Sequence, residues 1–448
     1  VTDASSPSAS STRLPPGPRF AAWQTMRLMR DPYGYYAEMR RRYGDPFTVP
    51  ALNGTVVMTA RPEAIKQIFT ADPSTYSVFA SEALGPIVGE GSLLLSFGSR
   101  HARDRKLLTP PFHGARMRAY GAAMQAATLA RIERWEAGST FPMQEETQRI
   151  TLDVILRTIF GVDAASADFE RARALLIDVI GGFSPLIAFA RALQQPWFPP
   201  WKRFVKARTE YDAFVRAQIA ARRTASGPAK EDILGMLLEA RYEDGAAMSD
   251  AELADQLLTL LVAGHETTAI SLAWAVYWLL RTPEALAKVR EELAPLGRDP
   301  DPDALAKLPY LSAVVLEAMR LYPILPDVVR KLVSPLEIAG VTVPAGMHVG
   351  FVACEVHQDP AIYPEPARFR PERFLDKKPG PFEYLPFGGG HRRCIGAAFS
   401  EHEQRVVLGT MLARFELALV SSEPERPVRR NVTMGPEHGV RVRVVRAR

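Results

Sequence analysis

Between Ser249 and Leu280 the sequence reads as one helix of about 30 residues, on the order of 45 Å long. Ser249-Asp250-Ala251-Glu252 has the form of a capping box, in which the serine caps the first turn and Glu252 reaches back. Thr282-Pro283-Glu284 ends the helix and caps the next one. The intervening run, including Leu257-Leu258-Thr259-Leu260-Leu261-Val262 and Trp278-Leu279-Leu280, is apolar on nearly all sides. Such a helix must cross the core of a large domain, because no stripe of it suits water. A chain of 448 residues, 47% of them hydrophobic, supplies that core.

The middle of this helix breaks its own rules. Ala263-Gly264-His265-Glu266-Thr267-Thr268 places a glycine and an acid where apolar residues would be more stable. Glycine costs about 1 kcal/mol relative to alanine in a helix interior, and a buried acid costs more unless paired or neutralised. Two such violations in adjacent turns mark a functional site. Ala263 and Gly264 lie one turn before Thr267, so the face is expected to be shallow enough for a planar group, with Glu266 beside it to pass protons. A transmembrane reading fails because the polar cluster splits the run. A zinc protease also fails: His265-Glu266 begins like HExxH, but Ala269 stands where the second ligand is required.

A second element is Phe387-Gly388-Gly389-Gly390-His391-Arg392-Arg393-Cys394-Ile395-Gly396, a cysteine at the end of a glycine-rich loop just before a helix. The helix start aims N–H groups and a positive dipole end at the sulfur, and His391, Arg392 and Arg393 add positive potential. Both favour thiolate. A phosphate cradle is excluded, because no Gly-Lys-Ser/Thr follows. The other cysteine, Cys354, lies in the apolar run Val349–Cys354 and reads as a buried strand residue. Two cysteines make no disulfide framework and fit a reducing compartment.

The third element is Glu317-Ala318-Met319-Arg320. Acid and base three apart share a helix face. Their surroundings are apolar (Val314, Val315, Leu316, Leu321), and a buried pair needs a further partner. Arg373 is the candidate.

From about His101 to Arg320 the pattern is nearly all helical, and after Arg330 strands and a proline-rich stretch take over. A single mainly α domain with a minor β portion is expected over residues 19–448, after a flexible Ser- and Pro-rich lead, 1–18. That lead has no apolar stretch able to act as signal or anchor. The net charge of +5 is dispersed, apart from clusters near Arg100–Lys106, Arg116–Arg118 and Arg392-Arg393. No basic stripe with interleaved aromatics suggests nucleic acid.

With these elements in this order, the chain resembles the cytochromes P-450, the haem-thiolate monooxygenases, from Leu14-Pro15-Pro16-Gly17-Pro18 onward. The resemblance implies the P-450 fold, with haem b held between the long central helix and the cysteine-ligand loop. It implies that Cys394 ligates the haem iron, with Phe387 and Gly396 completing the signature. Ala263 and Gly264 would border the haem, Glu266 and Thr267 would be the acid–alcohol pair, and Glu317, Arg320 and Arg373 the buried structural triad. His101, Arg105, Arg330 and Arg392 would meet the haem propionates, His101 standing where the family usually offers tryptophan. O2 is the implied co-substrate. Electrons would come from NAD(P)H through separate partners, an acidic ferredoxin or flavodoxin docking on the basic proximal face. A cytoplasmic monomer without membrane anchor is expected.

By the same resemblance the substrate pocket draws on Phe79, Leu84, Ile87, Val88, Phe183, Ile187, Val262, Ala263, Leu325, Val328 and Met434, with residues 185–201 as an apolar lid. A small hydrophobic substrate follows: a fatty acid, terpenoid or steroid-like molecule. Asp327 is the one charged residue nearby. Alternatives are a peroxygenase or non-oxygenating haem-thiolate enzyme, which would not need Glu266-Thr267, and a haem-based gas sensor or carrier, which the absence of an output domain disfavours.

Overall fold

The long apolar helix fixes the architecture. In the computed structural model, which describes residues 13–79, 81–114, 116–161, 166–182, 191–224 and 232–448, it runs from Asp250 to Arg281, 32 residues. We call it the central helix. Its capping box forms as the sequence requires: the Glu252 N–H donates to Ser249 Oγ, and the Ser249 N–H donates to Glu252 Oε2 at 2.9 Å. Thr282 occupies the next N-cap position without a side-chain capping bond, and Pro283 opens that helix.

Around the central helix pack the flanking helix Met143–Phe160, the triad helix Pro309–Leu321 and the cysteine helix Ala397–Arg414. Their apolar faces make the main core, with Trp274, Leu272, Val314, Val406 and Met411 all inside. Among the described residues the central helix alone is long and apolar enough to cross a membrane, and it is mostly buried within this core.

The β portion is small. β1 (Phe47–Ala51) and β2 (Gly54–Thr59) pair as an antiparallel hairpin. β3 is Tyr76–Ser77 and β4 Thr140–Pro142. After the triad helix come β5 (Asp327–Leu332), β6 (Leu336–Ile338), β7 (Val341–Val343) and β8 (His348–Val352). β9 (Phe415–Leu419), β10 (Pro427–Arg430), β11 (Thr433–Pro436) and β12 (Arg441–Ala447) close the chain. One five-stranded sheet has the order β1-β2-β8-β5-β3, with β2 and β8 parallel. Its own core joins Tyr36, Phe47, Ile65, Phe69 and Phe351. The sheet matters to the site because β5 carries Arg330 into the interior.

Two expectations change here. Cys354 lies not in a strand but in the short helix Ala353–His357 that follows β8, and it is buried there. The apolar run continues past the strand end because both elements face the same small core. Residues 13–18 are not a free lead. Thr48 of β1 donates from its N–H to the Pro16 carbonyl at 3.0 Å and from Oγ1 to the Pro15 carbonyl at 2.7 Å. This polyproline segment thereby satisfies the outer edge of β1, which would otherwise be exposed. Residues 1–12 lie outside the described residues, as do Phe183 and Ile187.

Candidate functional site

The central helix is buried along most of its length except where the sequence breaks its pattern. Ala263 is exposed, and Val262, Gly264, Glu266 and Thr267 are half-buried. The flanking helix holds this stretch from behind. Thr151 Oγ1 donates to the His265 carbonyl at 3.1 Å, and Thr147 Oγ1 to the Ala269 carbonyl at 2.9 Å. His265 Nε2 meets the Gln148 carbonyl at 3.0 Å. Burial pushes the His265 pKa down to about 4, so the ring is neutral and its Nε2 carries the hydrogen.

Gly264 has a reason the sequence did not disclose. A Cβ there would stand 2.6 Å from Ile155 Cδ1, so its smallness lets the flanking helix approach. Gly264 keeps accessible surface between Ala263 and Thr267 on the opened stretch. Thr267 Oγ1 donates to the Ala263 carbonyl at 2.7 Å, which leaves its lone pairs free to accept from water.

Glu266 is desolvated, and burial pushes its pKa from 4.5 up to about 7, with Arg430 opposing the rise. Between those two pH values the folded state binds more protons than the unfolded chain, so its stability falls as pH rises. Glu266→Gln removes this dependence. Its unfolding free energy should therefore gain on wild type from about pH 4.5 to pH 7, by on the order of 2–3 kcal/mol. Urea unfolding at pH 5 and pH 8 checks this.

Cys394 begins at the end of the glycine loop, where its N–H donates to the Phe387 carbonyl at 2.9 Å and closes the turn. Gly388 and Gly390 have left-handed φ values of 61° and 63°, which a larger residue would resist. Gly389 and Gly390 pack directly on Phe69. Gly396 alone of the loop glycines faces open space, beside the sulfur. The thiol is accessible yet walled by protein, as at the floor of a recess. Its pKa is raised rather than lowered as the loop suggested, because burial outweighs the downward pull of the Gly396 N–H, Arg105 and Arg393.

Three arginines and two histidines gather on one side, and burial with the neighbouring arginines keeps both rings neutral, so His391 adds no positive charge. Arg330 lies 5.1 Å from the Tyr76 ring centre; the His391 ring is 6.3 Å from Tyr76 and 6.2 Å from His101. Burial, then Arg392, Arg105, His391 and Arg330, push His101 down to about 3. Burial, Arg330 and Arg105 lower Arg392 to about 10. Asp72, acting on His391, is a carboxylate that opposes this cluster. Arg392 also donates to the carbonyls of Ser96 (2.6 Å) and Leu94 (2.9 Å), so it fixes the chain entering the helix that bears His101 and Arg105. Tyr76 and His391 were not singled out as binding residues; the nearness of His391 to Cys394 in sequence was the available signal.

The triad assembles deep in the protein. Glu317 Oε2 accepts from Arg320 Nε at 2.7 Å, and Oε1 from Arg320 Nη2 at 2.9 Å, Arg373 Nε at 3.0 Å and the Arg370 N–H at 2.8 Å. Arg320 Nη1 donates to the His357 carbonyl at 2.6 Å, and His357 Nε2 accepts the Leu385 N–H at 2.9 Å. The network therefore ends two residues before Phe387.

The pocket residues divide. Val262, Ala263, Leu325 and Val328 keep accessible surface, and Leu84 is half-buried. Ile87, Val88 and Met434 are packed in. Phe79 is turned edge-on to His348 of β8, with ring centres 5.3 Å apart. Asp327 is directed at Tyr36, Cys354 and Arg429, on the β5 face opposite Arg330. Of the proposed lid, residues 185–190 lie outside the described residues, while Trp197 is exposed and Trp201 stacks on Phe204.

These residues fit a haem. An accessible cysteine with N–H and cationic support would hold its iron, and an opened stretch of buried helix gives room for a flat group. Excess positive charge at one edge suits two carboxylates. Thr268 Oγ1, at 3.1 Å from Ser400 Oγ, ties the opened stretch to the helix that Cys394 precedes. Among the described residues no cluster of three or more His, Cys, Asp or Glu could hold a bare metal ion.

Comparison with known proteins agrees. A family model described as Cytochrome P450 matches residues 13–441. A Mycobacterium tuberculosis protein designated cytochrome P450 135A1 is 36% identical over 440 residues, covering 97% of this chain and 96% of the relative. A Mycobacterium bovis protein designated cytochrome P450 135B1 is 38% identical, covering 97% and 92%. The solved structure of retinoic acid-bound cyanobacterial CYP120A1 superposes with a TM-score of 0.86 at 25% identity, over 98% of this chain and 100% of that one.

Proposed function

The chain belongs to the cytochrome P450 family, and we propose that it hydroxylates a small hydrophobic molecule, a fatty acid, terpenoid or steroid-like compound. It is a haem-thiolate monooxygenase, an oxidoreductase of that family. The bound haem supplies the activation of O2 for insertion of one oxygen atom into substrate. The observation that carries the reading is the opened stretch of central helix, Ala263–Thr267, tied through Thr268 and Ser400 to the helix that follows the accessible Cys394.

In this reading each residue has a physical task. Cys394, as thiolate, binds the iron, and the Gly396 N–H with Arg105 and Arg393 stabilises its charge. His101, Arg105 and Arg330, with His391, receive the propionates. Thr267 has already committed its hydrogen to the Ala263 carbonyl, so it orders water as an acceptor. Glu266, with a pKa of about 7, can both hold and release a proton at physiological pH. Val262, Ala263, Leu325 and Val328 offer apolar surface to substrate and exclude water. The apolar lining, and the retinoic acid carried by the cyanobacterial structure, favour a hydrophobic substrate.

Electrons would come from NAD(P)H by way of a separate acidic ferredoxin or flavodoxin. Part of the basic surface is already neutralised: Arg100 and Arg103 lie 3.5 and 3.4 Å from Asp104, and Lys106 pairs with Glu243. Arg118 and Arg393 are exposed and are the better docking charges.

Thr267→Ala tests the assignment. The change removes a hydroxyl and little volume, so haem content and substrate affinity should hold. With NADPH, a reductase and a ferredoxin, product per NADPH should fall by about tenfold or more, the balance appearing as hydrogen peroxide. Peroxide-driven turnover should suffer less. Coupling equal to wild type would remove Thr267 from the mechanism.

A further inference from the structure

The first helix, Ala21–Arg30, leaves an apolar side in water. Phe20, Trp23 and Met26 recur every third residue and so share that side, and they are 81%, 55% and 53% exposed. Gln24 takes the inward position instead: it is buried, and its Nε2 donates to the Arg19 carbonyl at 3.0 Å. Phe20 begins the helix at φ 66°, a left-handed backbone that strains a bulky residue and suits glycine or asparagine. Strain kept at a side chain left in water points to a partner outside the fold.

The patch extends beyond the helix and is anchored. The helix packs on β1, and Thr25 Oγ1 accepts the Leu52 N–H at 3.1 Å. That bond seats the β1–β2 turn beside the helix, with Leu52 69% exposed. Arg429 of β10 donates to the Met29 carbonyl from Nε at 3.1 Å, which fixes the helix end to the body. The surrounding charge has one sign. From Arg13 to Arg30 there are four arginines and no acid, and the turn Ala51–Gly54 carries no charge. Among the described residues only Arg27 of the four has an ion-pair partner, Glu38. Arg13, Arg19 and Arg30 are exposed.

We propose that this corner, the first helix with the β1–β2 turn, docks on an anionic lipid surface. Phe20, Trp23, Met26 and Leu52 enter the boundary between headgroups and acyl chains, and the arginines meet the lipid phosphates. A helix of ten residues is too short to span a bilayer, so it lies in the surface. A second copy of the chain is a poorer occupant. In a two-fold pairing the patch meets itself and sets these arginines against one another.

Flotation of the full, haem-loaded chain with lipid vesicles reads the contact without turnover. Mixed phosphatidylglycerol–phosphatidylcholine vesicles should carry the protein, and pure phosphatidylcholine vesicles should carry about tenfold less. Trp23→Ser and, on the other element, Leu52→Ser should each weaken partition by about tenfold. Haem content and thermal unfolding should hold in both, because both side chains are exposed. Arg19→Glu with Arg30→Glu should remove the preference for anionic lipid. The proposal is overturned by absence of partition into the anionic vesicles, by partition unchanged in either apolar variant, or by an anionic preference that survives the arginine exchange. Self-association that Trp23→Ser abolishes, with no vesicle binding, would overturn it in favour of a second copy.

Discussion

Glu317→Ala is expected to leave almost no folded, haem-loaded protein. The carboxylate receives four donors, from Arg320 twice, from Arg373 and from the Arg370 N–H, and neither Glu317 nor Arg320 has accessible side-chain surface. Removing the acid leaves a fully buried guanidinium without its counter-charge, at a cost of about 3–5 kcal/mol. That is a large share of the roughly 5–15 kcal/mol that holds a typical domain together. The damage also has a direction. Arg320 supports His357 and the Pro366 carbonyl, and His357 supports Leu385 at the entrance to the cysteine loop. Soluble yield and haem-to-protein ratio check the outcome, and normal values for both would contradict a structural role for the triad.

Features written in local sequence were legible before the fold was known. The capping box at Ser249 and Glu252, the apolar run behind it and the break at Ala263–Thr268 depend on neighbours within a turn or two. The Glu317–Arg320 pair is likewise local, and its apolar flanks implied burial. Features that depend on a distant partner were hidden. The contact that Gly264 makes possible with Ile155 is one of them. Phe79 belongs to His348, across the sheet. Residues 13–18 look like a loose lead because β1, which they edge, comes some thirty positions later in the chain. Cys354 reads as strand because burial on every side masks the change from period two to helix.

The second large effect concerns the ligand. Cys394→Ser replaces a thiol, whose pKa burial raises while the Gly396 N–H, Arg105 and Arg393 pull it down, with a hydroxyl that stays protonated at neutral pH. The strong electron donation of a thiolate is lost with it. Monooxygenase turnover should fall below detection, while the apoprotein fold should survive, because Cys394 is exposed. Cys354 offers the matched control. It is fully buried, and burial pushes its pKa well above the ordinary value of 9.0, with Glu355 and Asp327 adding to the rise. It is a small core residue and no candidate for a thiolate. The measurement that bears most directly on this account is the absorption spectrum of the reduced carbon monoxide complex of both variants. A thiolate-type spectrum lost in Cys394→Ser and kept in Cys354→Ser is the expected result; a thiolate-type spectrum that survives Cys394→Ser would contradict it.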